Sequence, residues 1–173
     1  MDKYFIETKK HKILFVMVGV PGSGKSTTAK WLKKEYEEAG TKVCYVSRDE
    51  IRFRLIEGIS QANYFSKEKE VYNEFITEIK DGLKNADVVI ADATHFCTNS
   101  RTKLLRSLGA SLKDTYVIAY VLGLSLETIL AQNDQRVGVT HVPAETIKKM
   151  YADFTIPTEE EGFDRILIAR KGE

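Results

Sequence analysis

The sequence predicts an α/β fold in which a five-stranded parallel sheet lies between two layers of helices, as a three-layer sandwich. Short apolar segments alternate with longer segments of helical periodicity, the order that is typical of a parallel sheet covered by helices. The chain has 173 residues, which is enough for one ordinary core and too few for two full-sized domains. We therefore expect a single domain over residues 1–173.

Five apolar segments predict the strands of this sheet. In chain order they are Ile13–Val18, Val43–Val46, Val88–Ala91, Tyr116–Leu122 and Arg165–Ala169. Open parallel sheets bind ligands beyond the carboxyl ends of their strands, and the unusual polar clusters of this sequence follow those ends. We therefore expect the functional site along that one edge.

Six segments with helical periodicity separate the strands. They are Lys25–Ala39, Asp49–Glu57, Lys67–Asn85, Asn99–Leu108, Leu126–Gln132 and Ala144–Asp153. The third carries an apolar residue every four positions, at Val71, Phe75, Ile79 and Leu83. This stripe predicts a helix that packs on the sheet. Ser47 and Glu50 fit a capping box, so the second helix should begin directly after the second strand.

Composition excludes several classes of protein. Lys and Arg number 26 and Asp and Glu 25, a net charge of +1 that provides no global field for holding a long duplex, so we expect few phosphate contacts. No apolar run approaches the ~20 residues of a membrane helix. The segment Met1–Glu7 lacks the apolar core of a signal peptide, so we expect a cytoplasmic protein. No feature of the sequence indicates an obligate protein partner. Cys44 and Cys97 lack metal-site spacing and are expected to be buried thiols.

The strongest motif runs from Gly19 to Ser26 and matches GxxxxGK[ST], between the first predicted strand and helix. Its glycines let backbone N–H groups point inward around a phosphate, and the helix N-terminus adds partial positive charge. Lys25 should reach the β- and γ-phosphates of ATP, while Ser26 should ligate Mg²⁺. The predicted ATP contacts also include Gly22, Ser23, Gly24 and Thr27. Thr27 is equally compatible with an ordinary helix position.

Asp49 and Arg52 follow the second strand and lie three residues apart, hence on one face of a helix. A carboxylate beside a guanidinium suits an acceptor site, because the acid takes a proton from an attacking hydroxyl while the arginine grips a neighbouring anion. A surface ion pair is the alternative interpretation.

Asp92 ends the third predicted strand, in the position of an acid that holds Mg²⁺ directly or through water. Capping of the following turn is the alternative. Thr94, His95 and Arg101 come next and are expected to line the acceptor cleft, although a single histidine is weak support for catalysis.

A polar, glycine-containing segment at residues 133–143 predicts a short lid. Arg136 lies within it and could swing onto the transferring phosphoryl group as a catalytic arginine supplied in cis. A solvated loop arginine is the alternative.

Together these motifs resemble the 5′-kinase domain of polynucleotide kinases, over most of residues 13–165. The resemblance implies an adenylate-kinase-like P-loop kinase with Lys25 and Ser26 on ATP and Mg²⁺ and Asp49 as general base toward a 5′-hydroxyl. It also implies Arg52 on the acceptor's 3′-phosphate and Arg136 on the ATP phosphates. Two departures stand out, since Gln132 replaces a second lid arginine and His95 replaces a common Asn.

Three functions are compatible with the sequence. The first is an ATP-dependent polynucleotide 5′-hydroxyl kinase, whose partner is a nucleic-acid end. The second is a P-loop kinase for a small-molecule hydroxyl, such as a nucleoside, modified base or antibiotic. A basic groove at Arg54, Arg101, Lys103 and Arg106 would favour the polymer, and an enclosed pocket the metabolite. The third is a nucleotide-dependent switch that binds a protein.

Overall fold

The computed structural model describes residues 10–169, so the predicted absence of a signal peptide in Met1–Glu7 lies outside the described residues. The strands are β1 (Lys12–Val18), β2 (Val43–Ser47), β3 (Val88–Asp92), β4 (Thr115–Leu122) and β5 (Arg165–Ala169). The helices are α1 (Lys25–Glu38), α2 (Arg48–Leu55), α3 (Glu68–Asn85), α4 (Thr98–Leu108), α5 (Leu126–Asp134) and α6 (Ala144–Ala152). The predicted α/β class and all five strands are confirmed.

The five strands form one parallel sheet in the order β2-β3-β1-β4-β5. After β1 the chain crosses toward β2, whereas after β4 it crosses to β5 on the opposite side. The neighbouring strands β1 and β4 therefore flank the point where the winding direction reverses, which is where sheets of this type leave a crevice. The segment that follows β1 is the glycine-rich motif.

Each face of the sheet is covered by helices. On one face Leu14, Val16 and Val18 pack with α3 and α4, and the predicted stripe of α3 is buried there. On the other face Phe15 and Met17 pack with residues of α1. This alternation along β1 is the period-two pattern of a strand buried on both sides. The result is the predicted three-layer sandwich.

The predicted helix ends shift by a few residues. Ser47 accepts a hydrogen bond from the N–H of Glu50 at 3.3 Å, so α2 does begin directly after β2. It ends at Leu55 instead of Glu57, where Ile56 turns to extended backbone and enters the core. Three short 3₁₀ turns that the periodicity did not predict lie at Gly109–Leu112, Gly138–Thr140 and Glu159–Glu161.

Two further sequence predictions concern membranes and thiols. Across residues 10–169, none of the helices has the length and apolar character needed to cross a membrane. Cys44 and Cys97 are free and partly buried. Burial raises the pKa of the Cys44 thiol, which keeps it neutral.

Candidate active site

The glycine-rich motif forms a loop between β1 and α1, at the crevice of the sheet. Gly24 has a φ of 88° and precedes α1, whose N-terminus no side chain caps. The N–H of Gly19 donates to the carbonyl of Thr94 at 3.0 Å, which ties the loop to the segment after β3. An uncapped helix N-terminus facing a curled loop is a site for an anionic group.

A cavity of about 490 Å³ lies over this loop. Its lining combines the loop and first turn of α1 with the end of α5 and the start of the lid, namely Gly22, Ser23, Gly24, Lys25, Ser26, Thr27, Thr28, Gln132, Gln135 and Arg136. The structure therefore brings the predicted ATP contacts and the predicted lid arginine to one cavity. Gln132, which stands where the family pattern has an arginine, is also in its wall.

Lys25 lies almost fully buried at the base of this cavity. Its Nζ donates to the carbonyl of Val20 at 2.8 Å. Burial lowers the pKa of Lys25 to about 8, against the opposing influence of Asp92 and Asp49, while the charge of Arg136 lowers it further. Lys25 thus lies within electrostatic range of the predicted metal, base and lid residues.

Ser23 supplies a test of whether the loop fits a nucleotide. Its Oγ is buried and has no hydrogen-bond partner among the described residues. An unpaired buried hydroxyl costs about 1–3 kcal/mol, which a phosphate oxygen accepting from it would offset. This orphan hydroxyl and the cavity fit the phosphates of ATP.

Asp92 ends β3 and is 3% exposed. The hydroxyl of Tyr45 donates to its Oδ2 at 2.7 Å, and burial together with the Asp92 charge raises the pKa of Tyr45. Within residues 10–169, no three His, Cys, Asp or Glu side chains cluster as a metal site. Mg²⁺ would therefore rest on Ser26 and Asp92 together with nucleotide oxygens, a usual arrangement for this ion.

Asp49 lies in the first turn of α2 with its side chain 52% exposed. Its Oδ1 accepts from Nη1 of Arg52 at 2.5 Å and from the hydroxyl of Tyr64 at 2.9 Å. The predicted shared face of Asp49 and Arg52 is present. The carboxylate is thus oriented by two donors while half of it remains open to an incoming hydroxyl.

Arg52 is only 5% exposed, and its two terminal nitrogens have partners while its buried Nε has none among the described residues. Its Nη2 donates to both carboxylate oxygens of Glu68, at 2.9 and 3.2 Å, and its guanidinium lies 4.6 Å from the ring centroid of Tyr64. Glu68 also pairs with Arg48. In this arrangement Arg52 holds Asp49. An acceptor phosphate would have to compete with Glu68 for the Arg52 guanidinium.

The acceptor role predicted for Arg101 is wrong. Its side chain is 0% exposed, and its Nε and Nη2 donate to Glu161 at 2.7 and 2.8 Å. Nη1 donates to the carbonyl of His95 at 3.1 Å. A guanidinium that is fully paired inside the protein joins α4 to the turn at Glu159–Glu161 and cannot bind substrate.

His95 also faces the core instead of the cleft. Its Nδ1 lies 3.0 Å from the carbonyl of Met17, and because a carbonyl accepts, Nδ1 carries the proton. Burial lowers the pKa of His95 to about 4. Its φ of 44° is in the left-handed region, which residues other than Gly seldom adopt and Asn and Asp tolerate better than most. Thr94, half-buried beside it, stays a predicted acceptor contact.

The predicted lid spans the end of α5 and the 3₁₀ turn Gly138–Thr140. Asn133, fully buried, donates to the carbonyl of Val142 at 2.8 Å and accepts from its N–H at 3.1 Å. This pair of bonds ties the two ends of the loop together. Nε2 of Gln61 makes long contacts of 3.5 and 3.4 Å with the carbonyls of Gly138 and His141. The lid therefore meets the segment that follows α2.

The basic groove expected for a long polymer is not continuous. Arg54 pairs with Glu74 and Glu78, and Arg101 is buried, so neither offers a free charge. Nζ of Lys103 lies 4.3 Å from the ring centroid of Tyr72. This pattern favours contacts with the end of an acceptor over contacts along its length.

Sequence reasoning missed three residues of the site. Tyr45 holds Asp92, Tyr64 holds Asp49, and Glu68 holds Arg52. None belongs to a motif. Tyr45 lies in β2, two residues before the helix cap Ser47. This position near the carboxyl end of a strand was the sequence signal that could have indicated it. Tyr64 and Glu68 lie in the turn and helix that only the packing of α3 against α2 brings to Asp49.

Comparisons with known proteins identify the family and relatives of this chain. A family model described as "Chromatin associated protein KTI12" matches residues 13–171. L-seryl-tRNA(Sec) kinase of Methanococcus maripaludis is 31% identical over 157 residues, covering 88% of this chain and 56% of that protein. A protein of Autographa californica nuclear polyhedrosis virus, assigned as a bifunctional polynucleotide kinase/RNA ligase, is 29% identical over 161 residues, covering 86% and 22%. The chain thus spans about half the length of the archaeal kinase and about a fifth of the length of the viral protein.

A solved structure shows the same architecture. Kti12 of Chaetomium thermophilum, crystallised with ADP-AlF3, superposes with a TM-score of 0.67 at 16% identity, covering 92% of this chain and 89% of that one. This similarity shows the fold, which is the α/β sandwich of P-loop kinases.

Proposed function

Because this chain belongs to the KTI12 family, we propose on the basis of its P-loop kinase fold that it is an ATP-dependent phosphotransferase. Its acceptor is the 5′-hydroxyl end of DNA or RNA, and its general base is Asp49. Both curated relatives are named as kinases whose acceptors are nucleic acid or are attached to it. That relationship favours a nucleic-acid acceptor over a free metabolite.

The observation that carries the proposal is the state of Asp49. Its carboxylate is held by Arg52 and Tyr64 and is half exposed. Burial lowers the pKa of Lys25, and the Asp49 charge opposes that shift less strongly than Asp92 does. An oriented, accessible carboxylate at the same edge of the sheet as a phosphate-binding loop is the arrangement that transfer to a hydroxyl requires. A structural ion pair alone would not need the carboxylate to stay open.

In the proposed reaction, Asp49 accepts the proton of the 5′-hydroxyl while that oxygen attacks the γ-phosphorus in line. The bond to the β–γ bridging oxygen breaks and ADP leaves with its electron pair. Lys25 and Arg136 stabilise the charge that spreads over the phosphoryl oxygens. Mg²⁺, held through Ser26 and Asp92, would neutralise the phosphates. The proton on Asp49 then returns to solvent.

Asp49→Ala tests this proposal. We expect transfer of labelled γ-phosphate to a 5′-hydroxyl oligonucleotide to fall about 100- to 10,000-fold, the usual contribution of a general base. Nucleotide affinity, measured by calorimetry, should stay nearly unchanged. Glu50→Gln, which removes an exposed carboxylate from the same helix turn, is the matched control and should leave transfer intact.

The acceptor panel contains 5′-hydroxyl DNA and RNA, 3′-phosphorylated nucleosides, plain nucleosides and an RNA esterified with serine. Labelling of the nucleosides alone would replace the proposal with a small-molecule kinase. Labelling of the seryl ester alone would move the acceptor to an amino-acid hydroxyl carried by RNA, as the name of one relative suggests.

A second candidate function is a nucleotide-dependent switch. It is favoured by the family description, which names a chromatin associated protein and no reaction, and by the ADP-AlF3 complex of the Kti12 relative. ATP hydrolysis that is equally fast with and without every acceptor of the panel would establish this candidate. An acceptor-dependent reaction would exclude it.

A further inference from the structure

A large aromatic side chain is exposed next to the predicted base. Phe65 lies in the turn segment between α2 and α3 and is 70% exposed. Its chain neighbour Tyr64 donates its hydroxyl to Asp49 at 2.9 Å. A ring of this size loses favourable free energy by remaining in water.

The contacts of Phe65 fix its ring without covering it. The ring centroids of Tyr64 and Phe65 are 4.9 Å apart with an interplanar angle of 82°, an edge-to-face pair. The guanidinium of Arg52, itself buried, lies 5.6 Å from the Phe65 centroid. Tyr64 and Arg52 therefore both contact the Phe65 ring and both donate to the Asp49 carboxylate.

The segment that carries Phe65 also faces the lid. Gln61 of this segment contacts the backbone carbonyls of Gly138 and His141. Arg136, two residues before Gly138, lines the phosphate cavity. The segment that carries Phe65 therefore contacts the lid through Gln61 and the predicted base through Tyr64.

We propose that Phe65 is a stacking surface for the terminal nucleobase of a nucleic-acid acceptor, an inference that rests on the proposed kinase function. The nucleobase and the 5′-hydroxyl belong to the same nucleotide. When the hydroxyl reaches the Asp49 carboxylate, we therefore expect the nucleobase to meet the Phe65 ring, which Tyr64 connects to Asp49. Every nucleobase has a π face, so stacking selects nucleotides without selecting sequence. A free sugar has no planar ring to offer.

The test compares two acceptors that differ only in the base. One is 3′-phosphorylated thymidine, and the other is its abasic analogue with the same 5′-hydroxyl and 3′-phosphate. Stacking on an aromatic side chain is worth about 5- to 150-fold in affinity, so wild-type kcat/KM should favour thymidine 3′-phosphate within that range. Phe65→Ala should remove the preference by raising KM for the base-bearing acceptor, while turnover of the abasic one changes less than about twofold.

Phe65→Trp should keep or increase the preference, because a larger π surface remains. Phe53→Ala is the matched control, since Phe53 is a surface phenylalanine of α2 at 38% exposure, and it should retain the wild-type ratio. If Phe65→Ala lowered kcat/KM equally for both acceptors, the proposal would be overturned. The Phe65 ring would then only hold Tyr64 in place. A wild-type enzyme indifferent to the base would also overturn it.

A binding measurement separates this proposal from the kinase function. An oligonucleotide with 2-aminopurine at its 5′-hydroxyl end is titrated with Asp49→Ala protein and ATP. Fluorescence quenching that disappears in the double variant with Phe65→Ala supports stacking even if no acceptor is phosphorylated. Binding without Phe65-dependent quenching refutes it, whatever the kinase assay shows. Absence of binding to the oligonucleotide refutes it as well, and points to a different occupant of this surface.

Discussion

At the residue scale, the most informative group is the buried ammonium of Lys25. Burial lowers its pKa to about 8, although the charges of Asp92 and Asp49 oppose the shift. A phosphate in the adjacent cavity would add negative charge and favour the protonated form. The ligand-free protein therefore holds this lysine near the point where ordinary pH changes remove its proton.

The pKa of Lys25 predicts a pH dependence of ATP binding. Below pH 8 Lys25 is protonated in both the free and the ATP-bound protein, so it adds no pH dependence to the ATP affinity. Above pH 8 the free protein loses the proton while the bound form retains it, so affinity should fall up to about tenfold per pH unit and binding should take up a proton. Calorimetry in buffers of different ionisation enthalpy measures both quantities.

Lys25→Arg provides the control for this pH dependence, because a guanidinium stays charged throughout the range. Its ATP affinity should be flat where that of the wild type falls. The same slope in both proteins would mean that another group titrates.

At the element scale, the phosphate loop depends on its close approach to α5. Gly22 has a φ of +84°, and a Cβ there would lie 2.8 Å from the backbone carbonyl of Ile129 and 3.3 Å from Cβ of Asn133. Asn133 in turn ties the ends of the lid. The loop, α5 and the lid are therefore coupled through one position that lacks a side chain.

Gly22→Ala tests this coupling against Gly24→Ala. Both glycines have a positive φ, but a Cβ at Gly24 meets nothing within 4 Å. Gly24→Ala should lose only the backbone cost of about 1–2 kcal/mol. Gly22→Ala should lose about 1–3 kcal/mol more, because the added methyl group overpacks the contact with α5. Urea denaturation without nucleotide measures both, and equal losses would contradict the coupling.

The helices and strands themselves were largely predictable from local pattern. The stripe of α3 and the cap at Ser47 lie where periodicity and spacing indicate, because both signals depend on residues a few positions apart. The turn at Glu159–Glu161 was missed, although Thr158 and Glu161 form a capping box there. Three residues are too few to show a helical period.

At the scale of the whole molecule, charge is balanced and locally paired. The net charge is +1, and Arg54 and Arg101 are both engaged by glutamates. Neither of these two arginines therefore offers a free charge to a nucleic-acid backbone that leaves Asp49. Recognition should concentrate on the terminal nucleotide.

This charge distribution predicts a weak salt dependence of acceptor binding. With one or two phosphates neutralised, the slope of log affinity against log salt should lie between about −0.7 and −1.4 for a single strand. Anisotropy of a labelled 5′-hydroxyl oligonucleotide over a salt series measures it. A slope steeper than about −3 would reveal an extended phosphate track that the pairing of Arg54 and Arg101 does not suggest.

The sequence by itself determined the phosphate loop, the order of strands and helices, and the edge of the sheet where the polar residues meet. These features follow from spacing within short segments. The role of each charged residue became clear only in the folded protein. That role depends on which opposite charges lie next to the residue and on how far it is exposed to water. Arg101 meets Glu161 sixty positions away and is buried, and Tyr64 reaches Asp49 only because α3 packs on α2. Burial and pairing of this kind are properties of the packed molecule.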